Sequence, residues 1–335
     1  MAAEVLLYAD SHGIDSHGVG RLMTYVELLR AGKINPQPNI TTVQQRKSAA
    51  TIDGDNGLGL VVGPRANQMA AEMAQEYGTG WVSVCHTNHF GAAGFYVAQT
   101  VEKLDMIGWA MTNSSKLVAP LWGAEPMFGT NPIAFGAPAN NQPPVIVDMA
   151  TSAVPFGKVE IAMRGGQSLP NGWGIDKDGQ PTHNPQMIID GGSLLPLGSE
   201  KINGGHKGQC LLSMVDILCC VLSGANWGPF GPPSLLWQDP PEKQVGKGIG
   251  HFFGVMDIEA FRDKSEFKQQ MDEWVLTIRG TKPQPGTSGP LIPGDPERLA
   301  FEDRSRKGIP IVEAVVRDLE KISSLTGVSL NQPSA

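Results

Sequence analysis

The chain has 335 residues, 41% of them hydrophobic and 18% charged, the balance of a globular protein long enough for two domains. A net charge of −7 excludes the basic field a nucleic-acid surface needs, although a pocket can be locally positive inside an acidic protein. No apolar run approaches the ~20 residues of a membrane span.

The start, Met1 to Leu7, carries Glu4 and no basic n-region, so it reads as the tail of a helix whose beginning is missing rather than as a signal peptide. Cys85, Cys210, Cys219 and Cys220 form no CxxC pair and fit the reduced thiols of a cytoplasmic enzyme. Helices are expected over 1–10 and 17–31; in the second, Val19, Leu22, Met23, Val26 and Leu29 recur at helical spacing and Gly32 stops it. A strand at 50–53 leads through a glycine turn to a helix over 64–77, with Pro64 near its first position. Strands at 80–85, 107–112, 133–137 and 145–148 alternate with helices at 93–104 and 158–164, which argues for a layered α/β domain. A buried helix at 211–222, a long Gly- and Pro-rich loop at 224–247, a strand at 250–258 and helices at 261–278 and 311–325 complete the pattern.

Five short constellations carry polar chemistry. In Asp15-Ser16-His17-Gly18-Val19-Gly20-Arg21, the i, i+4 spacing sets His17 and Arg21 on one helical face, an imidazole beside a guanidinium able to fork a carboxylate. A helix cap with a solvated arginine fits the same spacing. His86-Thr87-Asn88-His89 follows a strand, where α/β proteins place ligands, and His89 can exchange a proton near neutrality. No third ligand at metal spacing accompanies it, so no metal is expected. Ser114, in Thr112-Asn113-Ser114-Ser115, and Thr130, in Gly129-Thr130-Asn131, offer hydroxyls in turns that equally suit ordinary turn chemistry. Asp148 ends an apolar strand, where it can accept from ribose hydroxyls or cap the next helix, and Lys158 follows, able to reach substrate or cofactor oxygens. Gly204-Gly205-His206-Lys207-Gly208 opens a helix with backbone amides free to approach an anion. The run from Gly57 to Gly63 is one residue off the dinucleotide fingerprint, so a Rossmann domain is not supported.

Taken in order, DSHGVGRL at 15–22, TIDGDNGLG at 51–59, NHFGAAG at 88–94, GTNPIAF at 129–135, DMATS at 148–152 and GGHKG at 204–208 resemble the type 2 malate/L-lactate dehydrogenase family, which includes sulfolactate and ureidoglycolate dehydrogenases. The resemblance implies an α/β (α+β) fold without a Rossmann domain. It implies a helical domain built from 1–50 and 260–335 around a central NAD(P)-binding domain at 51–259. It also implies a hydride exchange between NAD, with NADP as the alternative, and a small L-2-hydroxy acid such as malate. The matched positions give Ser16 and His17 as the family's Ser-His pair, Arg21 and Thr130 as substrate contacts, and His89 as proton acceptor. Ser114, Asp148, Met149 and Ala150 match cofactor contacts, and His206 and Lys207 join them as the charged end of the glycine turn.

Lys158 stands where the piperideine-carboxylate reductases carry an aspartate, which weighs against imine reduction. The expected partner is a second copy in a homodimer, with no nucleic acid and no membrane. The alternatives are an NADPH-dependent reductase of another 2-oxo or sugar acid, and a catalytically silent binding member.

Overall fold

The computed structural model describes residues 1–233 and 240–330. In chain order its helices are α1 (Ala2–Ser11), α2 (Leu22–Arg30), α3 (Gly59–Tyr77), α4 (Ala93–Leu104), α5 (Phe156–Arg164), α6 (Pro185–Ile189), α7 (Gly205–Asp216), α8 (Lys264–Arg279), α9 (Asp295–Lys307) and α10 (Glu313–Thr326). The strands are β1 (Thr41–Arg46), β2 (Ala49–Gly57), β3 (Thr79–Thr87), β4 (Ile107–Thr112), β5 (Ile133–Ala137), β6 (Val145–Met149), β7 (Gly174–Ile175), β8 (Ser193–Leu194) and β9 (Ile249–Met256).

Seven strands form one sheet in the order β1-β2-β3-β9-β4-β5-β6, and only β2 and β3 run parallel. A Rossmann sheet is parallel throughout and ordered differently, so the architecture is α/β without that domain. β3 is buried along both faces because α3 packs on one side while the turn after α7, carrying Cys219 and Cys220, packs on the other. That two-sided burial explains why Trp81-Val82-Ser83-Val84-Cys85 shows no alternation of apolar and polar residues. A second apolar cluster, built on Val154, Phe156, Val159, Leu194 and Leu212, fills the small α5–α6 lobe.

Several expected elements shift. The helix predicted over 17–31 is two 3₁₀ turns, Asp15–His17 and Val19–Arg21, before α2 begins at Leu22. The break is at Gly18, whose extended backbone presents Val19 N–H to the Asp10 carboxylate at 2.7 Å. α3 starts at Gly59, so Pro64 lies inside it rather than at its first position. The helix expected at 211–222 opens at Gly205 and widens into a π turn over Ile217–Val221. Residues 234–239 of the expected loop lie outside the described residues. Edge strand β1, within the segment assigned to the helical part, and helix α9 are additions the sequence did not announce.

The sheet order brings useful ends together. The C-terminal ends of β2, β3, β4 and β6 and the N-terminal ends of β5 and β9 share one edge. Below that edge His251 bridges three strands, Nε2 to Thr87 Oγ1 and Nδ1 to Thr112 Oγ1, both at 2.7 Å. Burial depresses its pKa to about 3, so it is a neutral strut.

Candidate active site

A small cleft of about 70 Å³ opens at this edge, lined by His17, Arg21, Tyr25, His89, Ser114 and Thr130, with Thr24, Leu117, Pro155, Phe156 and Gly157 completing the wall. Four separate stretches of sequence supply it: the turns before α2 with the first turns of that helix, the loop after β3, the connection between β4 and β5, and the junction of the β6–α5 loop with α5.

The 15–21 segment is held by what surrounds it. A Cβ at Gly18 would fall onto the Asp10 carboxylate, so only glycine allows the segment this close. Arg304 on α9 donates to the backbone oxygen of Asp10 and pairs with Asp15. Asp15 therefore binds across to α9 and caps nothing, a correction to the capping alternative. His17 and Arg21 do not share a face of one helix, yet both line the cleft. Arg21 Nε donates to Ser16 O at 2.7 Å, leaving its terminal nitrogens without a partner among the described residues. Ser16 Oγ lies 2.9 Å from His17 Nδ1.

The loop after β3 is held by the core. A Cβ at Gly59 would overlap the carbonyls of Asn88 and His89, so the start of α3 presses directly on the loop. Phe90 stacks on His251 with ring centroids 4.7 Å apart. His89 Nδ1 receives the Gly91 N–H at 3.3 Å and lies 2.7 Å from the Tyr25 hydroxyl. The His17 and His89 rings stack 5.5 Å apart at 24°.

Both imidazoles are driven neutral. Burial, then the Arg21 charge, lowers His17 to about 4. Burial, His17 and Arg21 hold His89 well below the ordinary histidine range. Burial raises the Tyr25 hydroxyl beyond the ordinary phenol range, so it stays protonated. The cleft thus offers one permanent cation, Arg21, and two neutral proton carriers.

The structure brings His17, Arg21, His89, Ser114 and Thr130 into the cleft, with Ser16 behind His17. Lys158 is not among them: the first turn of α5 presents Phe156 and Gly157 to the cleft and leaves Lys158 exposed. His206 and Lys207 are exposed on the opening turn of α7, also outside the cleft lining. Asp148 does not cap the helix that follows it. Its Oδ2 accepts the Gly94 N–H at 2.7 Å, at the start of α4, and burial raises it to about 6. Its Oδ1 has no partner among the described residues, and Met149 and Ala150 continue from it with partial exposure. Tyr25 is the residue sequence reading missed; its signal is a position four beyond Arg21, one turn on along the same helix edge.

The donor set fits a nicotinamide cofactor. Leu117, Pro155 and Phe156 give an apolar wall for a flat ring, Ser114 and Thr130 give hydroxyls for a carboxamide, and the unpartnered Asp148 oxygen can accept from a ribose. Among the described residues no group of His, Cys, Asp and Glu could hold a metal ion, and no helix is long and apolar enough to cross a membrane.

Comparison with known proteins points the same way. Residues 1–320 match the family described as malate/L-lactate dehydrogenase. A malate dehydrogenase of Pyrococcus horikoshii is 41% identical over 98% of this chain and 89% of its own length. A malate/(S)-sulfolactate dehydrogenase of Methanothermus fervidus is 37% identical over 98% of this chain and 91% of its own. The crystal structure of malate dehydrogenase from Entamoeba histolytica superimposes with a TM-score of 0.90 at 32% identity, covering 98% of this chain and 91% of that one.

Proposed function

The chain belongs to the malate/L-lactate dehydrogenase family, and we propose that it interconverts an L-2-hydroxy acid, malate first, and its 2-oxo acid with NAD. The observation that carries this reading is the free fork of Arg21 beside two neutral histidines in one small cleft. A carboxylate on the fork leaves the neighbouring C2 oxygen within the histidine-lined space, where a proton can be taken or returned. Ser16 steadies His17, and Thr130 and Ser114 hydrogen-bond the acid and the cofactor. The nicotinamide, when bound, supplies the hydride chemistry. Asp148, with Met149 and Ala150 beyond it, takes the ribose, and His206 and Lys207 on the first turn of α7 meet the phosphates.

Arg21→Ala tests the reading. It should raise KM for the acid by about 100-fold, the worth of a charge-assisted bidentate contact, with a smaller change in kcat. An unchanged KM across a panel of 2-hydroxy acids would remove Arg21 from the substrate site.

A second reading has its own observation. Arg21 is the one cation among the described residues lining the cleft, and malate carries two carboxylates. That favours an acid with a single carboxylate, such as lactate. Comparing kcat/KM for malate and lactate decides between them, and running each with NAD and NADP decides the cofactor. A cytoplasmic homodimer goes with either reading and is tested by fractionation and light scattering. No turnover of any acid would favour a silent binding member.

A further inference from the structure

We propose that His251 is a positioning residue of the cleft: it shares its one imidazole proton between Thr87 and Thr112, and so couples the His89 loop to the Ser114 turn. The positioning role rests on the reading of the cleft as a 2-hydroxy acid and nicotinamide site.

The register of the sheet sets up the contact. On β9, Ile249 and His251 stand two residues apart and share one face. Thr112 pairs directly with His251, so its side chain lies on that face. On the other side β3 carries one residue more than β9: Val84 pairs with His251, while Thr87 pairs with Ile249. The extra residue makes a bulge, where His86 takes a left-handed φ of 56° and its Nδ1 lies 2.8 Å from Asp53 Oδ1. Without it Thr87 would fall opposite Gly248, on the far face of the sheet. With it, the last residues of β3 and β4 meet a single ring from both sides. Asn88-His89 and Asn113-Ser114 follow them directly, and Phe90 stacks on the same ring.

The coupling follows from the count of protons. Thr87 Oγ1 lies 2.7 Å from His251 Nε2 and 2.9 Å from the Asn88 carbonyl oxygen. Thr112 Oγ1 lies 2.7 Å from His251 Nδ1, 2.8 Å from the Asn113 oxygen and 3.0 Å from the Gly250 oxygen. Each hydroxyl has one proton to give, and so has a neutral imidazole. With the ring proton on Nε2, the ring donates to Thr87, which passes its own proton to the Asn88 carbonyl. Nδ1 is then bare and draws the Thr112 proton away from the Asn113 carbonyl. With the ring proton on Nδ1 the roles exchange, and the Asn88 carbonyl is the one left without its threonine. A second ring proton would let both threonines donate outward, but burial holds His251 neutral. Thr87, Thr112 and His251 are all buried, so water does not replace the missing donor. One loop is therefore tied at the expense of the other. His251 is not among the residues lining the cleft and acts only through these two loops.

Thr87→Val and Thr112→Val keep the shape of each side chain and remove its hydroxyl. In Thr87→Val a proton on Nδ1 keeps two hydrogen bonds, ring to Thr112 and Thr112 to its carbonyls, while a proton on Nε2 is stranded against a methyl. Histidine-selective ¹⁵N labelling should therefore show one ring protonated at Nδ1 in Thr87→Val and at Nε2 in Thr112→Val. The same nitrogen protonated in both variants, or no ring that responds to both, would overturn the proposal. Activity supplies the second arm. Thr87→Val should raise KM for the acid several-fold and leave the Kd for NADH, read by fluorescence, nearly unchanged. Thr112→Val should do the reverse, and serine at either position should restore the lost affinity. On kcat/KM the double valine variant should miss the product of the single effects by about threefold or more. Independent effects of the two variants, or lowered melting with KM and Kd intact, would reduce His251 to a strut and overturn its positioning role. If the wild type neither binds NADH nor oxidises a 2-hydroxy acid, the functional reading fails and takes that role with it, while the nitrogen spectrum still decides the shared proton.

Discussion

The two histidine-bearing walls of the cleft are held in opposite ways. The His89 loop is clamped by backbone: the start of α3 presses on its carbonyls at Gly59. The His17 segment is held by side chains, with nearby Asp10 taking Val19 N–H and Arg304, nearly three hundred residues later, holding the Asp10 carbonyl and Asp15. The first wall is part of the core and should fail only with the fold. The second is a surface support and should fail while the fold survives.

The sharpest way to break that contrast is Gly59→Ala. The added methyl has only backbone to meet, so either α3 or the His89 loop must move. We expect a loss of up to about 3 kcal/mol of stability, the upper end of the range for overpacked cores, together with activity. Wild-type melting and turnover in this variant would show that the loop is not clamped.

Asp148→Asn sharpens the comparison from the other side. Asp148 is raised in the fold from 3.8 to about 6. The folded state therefore binds the proton more tightly than the unfolded chain, and this contribution is fully present below pH ~4 and lost as pH rises through ~6. Asparagine can still accept from Gly94 and never ionises. Its melting temperature should equal the wild type's near pH 4. Above pH 7 it should exceed it by the equivalent of about 1–3 kcal/mol. A wild type that melts higher at pH 8 would mean that the carboxylate is stabilised by its site.

Arg304→Ala should have the smallest effect on stability. Asp15 is 61% exposed, and an ion pair that open contributes at most about 1 kcal/mol. We expect melting to change little while KM for the acid rises several-fold, since His17 and Arg21 lose their outer support. A large drop in melting with unchanged KM would reverse the assignment of that wall.

Sequence order located the residues that line the cleft more closely than it located the element bounds. Motif order placed His17, Arg21, His89 and Thr130 near one another because each lies beside a glycine in a turn at an element end, and Ser114 because it stands in the polar turn after β4. Tyr25 stayed hidden because a tyrosine among apolar helix residues reads as core, and its partner lies 64 residues away. The place of Lys158 outside the cleft was not legible because residue order gives no rotation about α5. The expected helix over 17–31 failed for a similar reason. Its apolar periodicity is real, but the Asp10 carboxylate competes for the Val19 amide, and that contact is tertiary. α9 was illegible because its composition is almost wholly polar, so its anchor is the Arg279 and Arg298 pairing with Asp295 rather than an apolar stripe.

The position of β9 has a consequence for how the protein is made. It sits between β3 and β4 at the centre of the sheet, yet both neighbours leave the ribosome well before it. The stretch from Thr87 to Ile249 takes on the order of ten seconds or more to synthesise at typical elongation rates. During that interval β3 and β4 each present an unpaired apolar edge, with Val82, Val84, Ala110 and Met111 uncovered. A nascent chain stalled or shortened before Met256 would keep both halves of the catalytic edge in sequence and have nothing to join them. It is there, rather than at any residue of the cleft, that chaperone dependence and aggregation in expression should concentrate.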